Sequence, residues 1–162
     1  EVCGLVIAGG GDEDQQIAAL LHDAAEDRGG RERLDEVRAQ FGERVASIVE
    51  ACSDTLEQPK PPWRARKEAY IAHVRSAPAS VRLVSASDKL HNARSILSDY
   101  RTCGEALWDR FSGGREGTLW YYRSLVEAYR EAGGSPLVDE LDRVVVEIER
   151  LANRLGDSYL DQ

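Results

Sequence analysis

Apolar residues recur every three or four positions along this chain rather than every two. That interval keeps side chains on one face of a helix, where a strand would send them to alternate faces, so the expected fold class is all-α with no strand pair. Glycine and proline punctuate the pattern. A short apolar helix over Val2 to Ile7 closes at Gly9-Gly10-Gly11, and Asp12, with Gln15 three residues later, forms a capping box for the next helix. This second helix is predicted to run unbroken to about Arg28 and to stop at Gly29-Gly30. From Arg31 the set Leu34, Val37, Phe41 breaks at Gly42 and resumes as Val45, Ile48, Val49, which reads as two short helices meeting at a glycine corner.

The segment Gln58-Pro59-Lys60-Pro61-Pro62 cannot be helix interior, because proline lacks the amide donor and clashes with the preceding turn. It is a loop leading into a helix from near Arg64 to Arg75. Pro78 ends that helix, and a long one from about Ser80 to Arg101 carries Leu83, Leu90 and Leu97 on its buried stripe and closes at Gly104. After a Gly113-Gly114 turn the pattern predicts a helix from Leu119 to Ala132, and Ser135-Pro136 supplies an N-cap and a first-turn proline for the last helix.

With 162 residues the chain has the size of one ordinary domain and can bury a core without disulfides or structural zinc. The expected organisation is a single domain over residues 1–162. Because the sequence opens at Glu1 and contains no Met, the N-terminal part of that domain is expected to be missing. Carboxylates outnumber Lys plus Arg by 29 to 21, a formal charge of -8, which disfavours nucleic acid and anionic membrane as partners. A small anionic substrate would need a local cation. No run approaches the roughly 20 apolar residues of a membrane span, and no signal-peptide pattern opens the chain, so a cytoplasmic location is expected. Cys3, Cys52 and Cys103 are far apart and form no C-x-x-C pair, and are expected to be reduced, mostly buried thiols. The pattern sets no oligomeric state.

The second predicted helix carries H-D-A-A-E-D, in which His22 with Glu26 and Asp23 with Asp27 are four apart. On one continuous helix, four polar groups would project from one patch, with Ile17, Leu20, Leu21, Ala24 and Ala25 supplying the buried surface beside it. Three carboxylates and an imidazole this close repel one another unless a cation neutralises them or water surrounds them. Taken alone, the cluster reads equally well as a solvated acidic face. The long helix shifts that balance: Asp88, Asn92 and Ser95 fall at i, i+4 and i+7 among Val81, Leu83, Val84, Leu90, Ile96 and Leu97, a setting that does not tolerate unpaired polar groups. A neutral imidazole plus two carboxylates suits Mn²⁺, Fe²⁺ or Mg²⁺ with positions open to water, whereas structural zinc would close its shell with sulfur or more imidazole.

Four ordered stretches, I-A-A-L-L-H-D-A-A-E-D, F-G-E-R-V-A-S-I-V-E-A-C-S-D, R-K-E-A-Y-I and V-R-L-V-S-A-S-D-K-L-H-N-A-R, resemble the hydrolase domain of RelA/SpoT proteins and its single-domain relatives. The likeness covers roughly the first two-thirds of the chain. It implies an α-helical HD-domain bundle and removal of pyrophosphate from the 3′ position of (p)ppGpp, usually with manganese; some small relatives act on other nucleotides, including NADPH. By position, it implies that His22, Asp23 and Asp88 are metal ligands, that Glu26 and Asp27 activate or orient water, and that Asn92 contacts a small-molecule nucleotide substrate. The family's leading metal histidine and its basic phosphate-gripping segment would fall upstream of Glu1.

Other residues read more plainly. His91 should diverge from the metal along the helix and His73 belongs to a packing helix beside Tyr70, Ile71 and Val74. Arg64, Arg66 and Lys67 read as a solvated face ahead of a phosphate grip. Of Trp120, Tyr121 and Tyr122, at least two are expected in the core. Two rival functions remain at this stage. One is a catalytically silent HD module that binds a nucleotide or a partner; the other is a di-iron HD oxygenase, for which this chain is short of histidines.

Overall fold

Asp12 caps the second helix as its spacing predicts: its carboxylate accepts from the Gln15 amide at 3.1 Å, and Gln15 Oε1 accepts from the Asp12 amide at 3.0 Å. The computed structural model describes residues 1–27 and 29–160, apart from the side chains of Asp27 and of residues 154–160. Among these, α1 spans Val2–Ala8, α2 Glu13–Leu21, α3 Ala24–Asp27, α4 Gly30–Phe41, α5 Glu43–Cys52, α6 Trp63–Ser76, α7 Ala79–Cys103, α8 Gly114–Glu131 and α9 Pro136–Leu160, with a 3-10 helix over Gly104–Arg110. No strand occurs among the described residues.

The unbroken helix expected from Asp12 to Arg28 is in fact two. It stops at Leu21, His22 and Asp23 form a turn, and α3 follows. At the break His22 Nδ1 bonds to Ala19 O at 2.8 Å, and that carbonyl is the acceptor a continuing helix would offer to the Asp23 amide. The buried surface of α2 also differs from expectation, with Ala18 and Ala19 inside while Leu20 is 71% exposed. Small residues there let α2 lie close to α1, α5 and α7.

Gly42 joins α4 to α5 at φ +90°, a left-handed conformation that only glycine adopts cheaply, so the corner sits where the pattern placed it. The helix expected from Leu119 instead begins at Gly114. Its first turns press against the Trp63 ring, and a Cβ at Gly113 or Gly117 would meet that ring at 2.6 or 3.1 Å. These glycines serve close packing as well as turning. Ser135 Oγ accepts from the Val138 amide at 3.3 Å at the start of α9.

The interior forms two apolar clusters. One gathers α1, α2, α4 and α5 around Val6, Ala18, Leu34, Val45 and Val49; the other gathers α6, α8 and α9 around Tyr70, Leu125, Tyr129 and Leu141. Helix α7 belongs to both, giving Val81 and Val84 to the first and Leu90, Ala93 and Ile96 to the second. A helix packed from both sides has no simple stripe: Leu90 is buried as expected, but Leu83 and Leu97 sit at the margins, and Ser85, Ala86, Ser87 and Asp88 are all inside. Each fully covered Leu or Val contributes about 2 kcal/mol. Outside the clusters, α8 and α9 are tied by charge, with Arg123 gripping Glu149 through Nε at 3.0 Å and Nη2 at 2.5 Å and reaching Asp142 at 2.6 Å, while Arg130 reaches Asp142 at 2.8 Å. No helix among the described residues is long and apolar enough to cross a membrane.

Candidate metal centre

The turn that ends α2 aims the His22 ring at the middle of α7. His22 Nε2 lies 3.3 Å from Asp88 Oδ1 and 3.1 Å from Asp23 Oδ2. With Nδ1 given to Ala19 O, the tautomer is set and Nε2 is the nitrogen left for the site. Asp88 is almost fully buried and uses both oxygens: Oδ1 accepts from Asn92 Nδ2 at 2.8 Å, and Oδ2 accepts from Lys89 Nζ at 2.6 Å. Two helices distant in sequence thus bring an imidazole and two carboxylates to one place.

The electrostatics follow from that crowding. Burial disfavours charge on His22, but hydrogen bonds to Asp23 and Asp88 outweigh it and raise its pKa from 6.5 to about 10. Burial likewise pushes Asp88 up, and the His22 hydrogen bond and Lys89 charge overcome it, holding this carboxyl well below the usual range. The ring is therefore a protonated donor between two acceptors. In that state no group of three or more His, Cys, Asp or Glu side chains among the described residues is spread around one point in ligand geometry. The donor set nonetheless fits a divalent cation in kind: one imidazole nitrogen of fixed tautomer and two carboxylates, needing only the loss of the Nε2 proton.

The other predicted residues divide. Asn92 stands beside Asp88. Glu26 turns to the loop after α5, where its Oε2 accepts from the Asp54 amide at 3.0 Å and its Oε1 from Lys60 Nζ at 3.1 Å. The side chain of Asp27 lies outside the described residues. Ser95 leaves the stripe; it is exposed and donates to its own helix at His91 O, 3.1 Å away. His91 Nδ1 pairs with Glu1 at 2.6 Å, and His73 is exposed. Arg64 lies over the Trp120 ring at 3.3 Å, while Arg66 and Lys67 both pair with Asp54. Tyr121 and Tyr122 are core, as expected of two of the three aromatics. Cys52 is buried, its thiol pushed up to about 12 by burial, and Cys3 and Cys103 are half-buried.

The spacing argument overlooked Lys89. A lysine beside an aspartate reads as solvent-facing, yet its ammonium lies inward, 5.1 Å from the Tyr70 ring. Near it runs a buried hydroxyl chain in which Tyr70 meets Ser85 at 2.7 Å and Ser85 meets Tyr129. The available signal was position, since Lys89 stands between Asp88 and Leu90, both buried in the middle of α7.

Known proteins resemble this chain in sequence and in fold. The guanosine-3′,5′-bis(diphosphate) 3′-pyrophosphohydrolase MESH1 of Xenopus tropicalis is 35% identical over 79 residues, covering 49% of this chain and 41% of the relative. The protein of the same name from Danio rerio is 34% identical over 79 residues, with the same 49% and 41% coverage. The chain thus spans about two-fifths of the length of these curated relatives. The crystal structure of lmo0812 from Listeria monocytogenes EGD-e superposes with a TM-score of 0.76 and 28% identity, covering 91% of this chain and 92% of that one. Residues 1–119 match the HD domain family, and the chain belongs to that family.

Proposed function

We propose that this chain is a metal-dependent phosphohydrolase that cleaves a pyrophosphate ester of a small nucleotide, of the guanosine 3′,5′-bis(diphosphate) kind. The observation that carries the reading is the meeting of His22 from the end of α2 with Asp88 from the middle of the buried α7. A charged pair in so covered a position costs more in desolvation than a well-packed apolar pair would, and chemistry accounts for that cost. The likeness to MESH1 supports the substrate class.

In this reading His22, Asp23 and Asp88 hold the cation, and manganese is the metal we assign. When bound, the cation supplies charge screening at the phosphate and lowers the pKa of a water. Asp88 presents Oδ1 while its other oxygen is tied to Lys89. Asn92, already bonded to Asp88, reaches the substrate from the same turn of α7. Asp27, or Glu26 once released from Lys60 and the Asp54 amide, takes the proton from the attacking water. An open groove of about 540 Å³ beside Leu5, His91, Arg94 and Ser95 lies further along α7 and receives the nucleoside.

A second reading, a catalytically silent HD module that binds a nucleotide or partner, is favoured by one feature: His22 Nε2 already meets both Asp23 and Asp88 without a cation. One experiment separates the two. Purified protein with Mn²⁺ is incubated with guanosine 3′,5′-bis(diphosphate), NADPH and a deoxynucleotide panel, and released phosphate and pyrophosphate are measured. Turnover of the first compound, abolished by chelation and by Asp88→Ala, supports the hydrolase. Binding without turnover of any compound supports the silent module.

A further inference from the structure

The two oxygens of Asp88 face different worlds. Oδ1 looks toward His22 and Asn92 at the surface end of the site, whereas Oδ2 looks into the second apolar cluster and meets only Lys89, at 2.6 Å. Lys89 in turn makes no other ion pair among the described residues. Its ammonium lies 5.1 Å from the Tyr70 ring, with burial opposing the charge and the Asp88 carboxylate favouring it. A lysine placed this way adds little to stability, because the desolvation of two buried ions offsets most of their attraction. Its geometric effect is larger. A carboxylate with one oxygen fixed by a charged hydrogen bond cannot swing about its Cβ–Cγ bond, so only its other oxygen is offered to the site.

We infer that Lys89 is a positioning residue: by holding Asp88 Oδ2 from the core side, it fixes Asp88 as a one-oxygen donor aimed at His22 Nε2. The inference rests on the metal-centre reading above and adds to it a residue that touches neither substrate nor cation. Without Lys89, Oδ2 is left unpaired in an apolar pocket, and Asp88 relieves this by rotating, closing on His22 with both oxygens or taking up a proton. Each of these removes a preformed ligand. Outer partners of this kind typically alter metal affinity by about 10–100-fold.

The test is a Mn²⁺ titration followed by electron paramagnetic resonance, which counts free ion and requires no turnover. Lys89→Met keeps the length and apolar stem but neither charge nor donor; Lys89→Arg keeps both. The expected result is a Kd for Mn²⁺ raised about 10–100-fold in Lys89→Met and at least half restored, on a logarithmic scale, in Lys89→Arg, with the far-ultraviolet helix signal of both equal to wild type. Should Lys89→Met fail to fold, Lys89→Gln carries the same comparison and is expected to weaken binding in the same direction. Wild-type affinity, or tighter binding, in a folded Lys89→Met or Lys89→Gln protein overturns the inference while leaving the metal centre standing. A wild-type protein that takes up no Mn²⁺ overturns the metal centre and this inference together.

Discussion

Around the buried Asp88, an imidazole, an ammonium and the exposed carboxylate of Asp23 meet; between α8 and α9, Arg123, Arg130, Asp142 and Glu149 meet at the half-exposed surface. Both are charge networks joining helices, but their accounts differ. In the second network Arg123 forks onto both oxygens of Glu149, Arg123 and Arg130 each reach one oxygen of Asp142, and water screens what remains. It needs no ligand to be complete. The first is buried at Asp88, depends on an extra proton on His22, and points Asp23 and Asp88 at the same ring nitrogen. Good pairing at the surface serves cohesion, whereas the set around Asp88 is, in the proposed reading, arranged for a cation.

The largest effect separating the two is expected from Asp88→Asn, which keeps shape and removes charge. Nucleotide hydrolysis should fall by at least about a thousandfold, some 4 kcal/mol of barrier, with Mn²⁺ uptake lost; near-normal kcat/KM would place the chemistry elsewhere. Next comes a stability experiment of opposite sign. Replacing the inner set with apolar residues, His22→Leu with Asp88→Val and Lys89→Met, should leave thermal stability unchanged or raise it by about 1–4 kcal/mol while abolishing hydrolysis. A marked loss of stability would mean that this network, too, is chiefly structural.

Arg123→Ala should do the reverse. We expect about 1 kcal/mol less stability, a Tm lower by about 3 °C at low salt and by less at high salt, with hydrolysis within about twofold of wild type. A smaller, pH-dependent effect is expected at Lys67, whose pKa burial lowers from 10.5 to about 8 despite its contact with Asp54. The folded chain then releases this proton before the unfolded chain does, so the cost of burying the charge is full below about pH 8 and fades as pH rises toward 10.5. Lys67→Met should therefore melt above wild type at pH 7, and the difference should shrink between pH 8 and 10. A difference that grows with pH would reverse the sign of this argument.

How much of this was legible beforehand depends on whether a residue acts through its near neighbours in sequence. Asp12, Gly42, the proline loop and Ser135 act locally, and the elements they bound fall where the pattern placed them. Asp88 was legible because a carboxylate and an amide four residues apart stand out in an apolar helix. The break after Leu21 was not, because it turns on which way one imidazole rotates, a choice settled by Asp88 from a remote part of the chain. The early start of α8 was hidden for a similar reason, since Gly113 and Gly117 answer to Trp63 and not to their neighbours. Lys89 was missed because its ammonium lies inside, and residue type alone favours the outside.

Helix α7 is shared by both apolar clusters, so neither half of the molecule can be opened without stripping one flank of the same rod. Backbone amides from Val84 to Ile96 should accordingly exchange with solvent only when the whole chain unfolds, later than those of α4 or α9. The stretch around Asp88 would then be the most durable part of the fold, and the precision with which it meets His22 a by-product of where the rod is clamped.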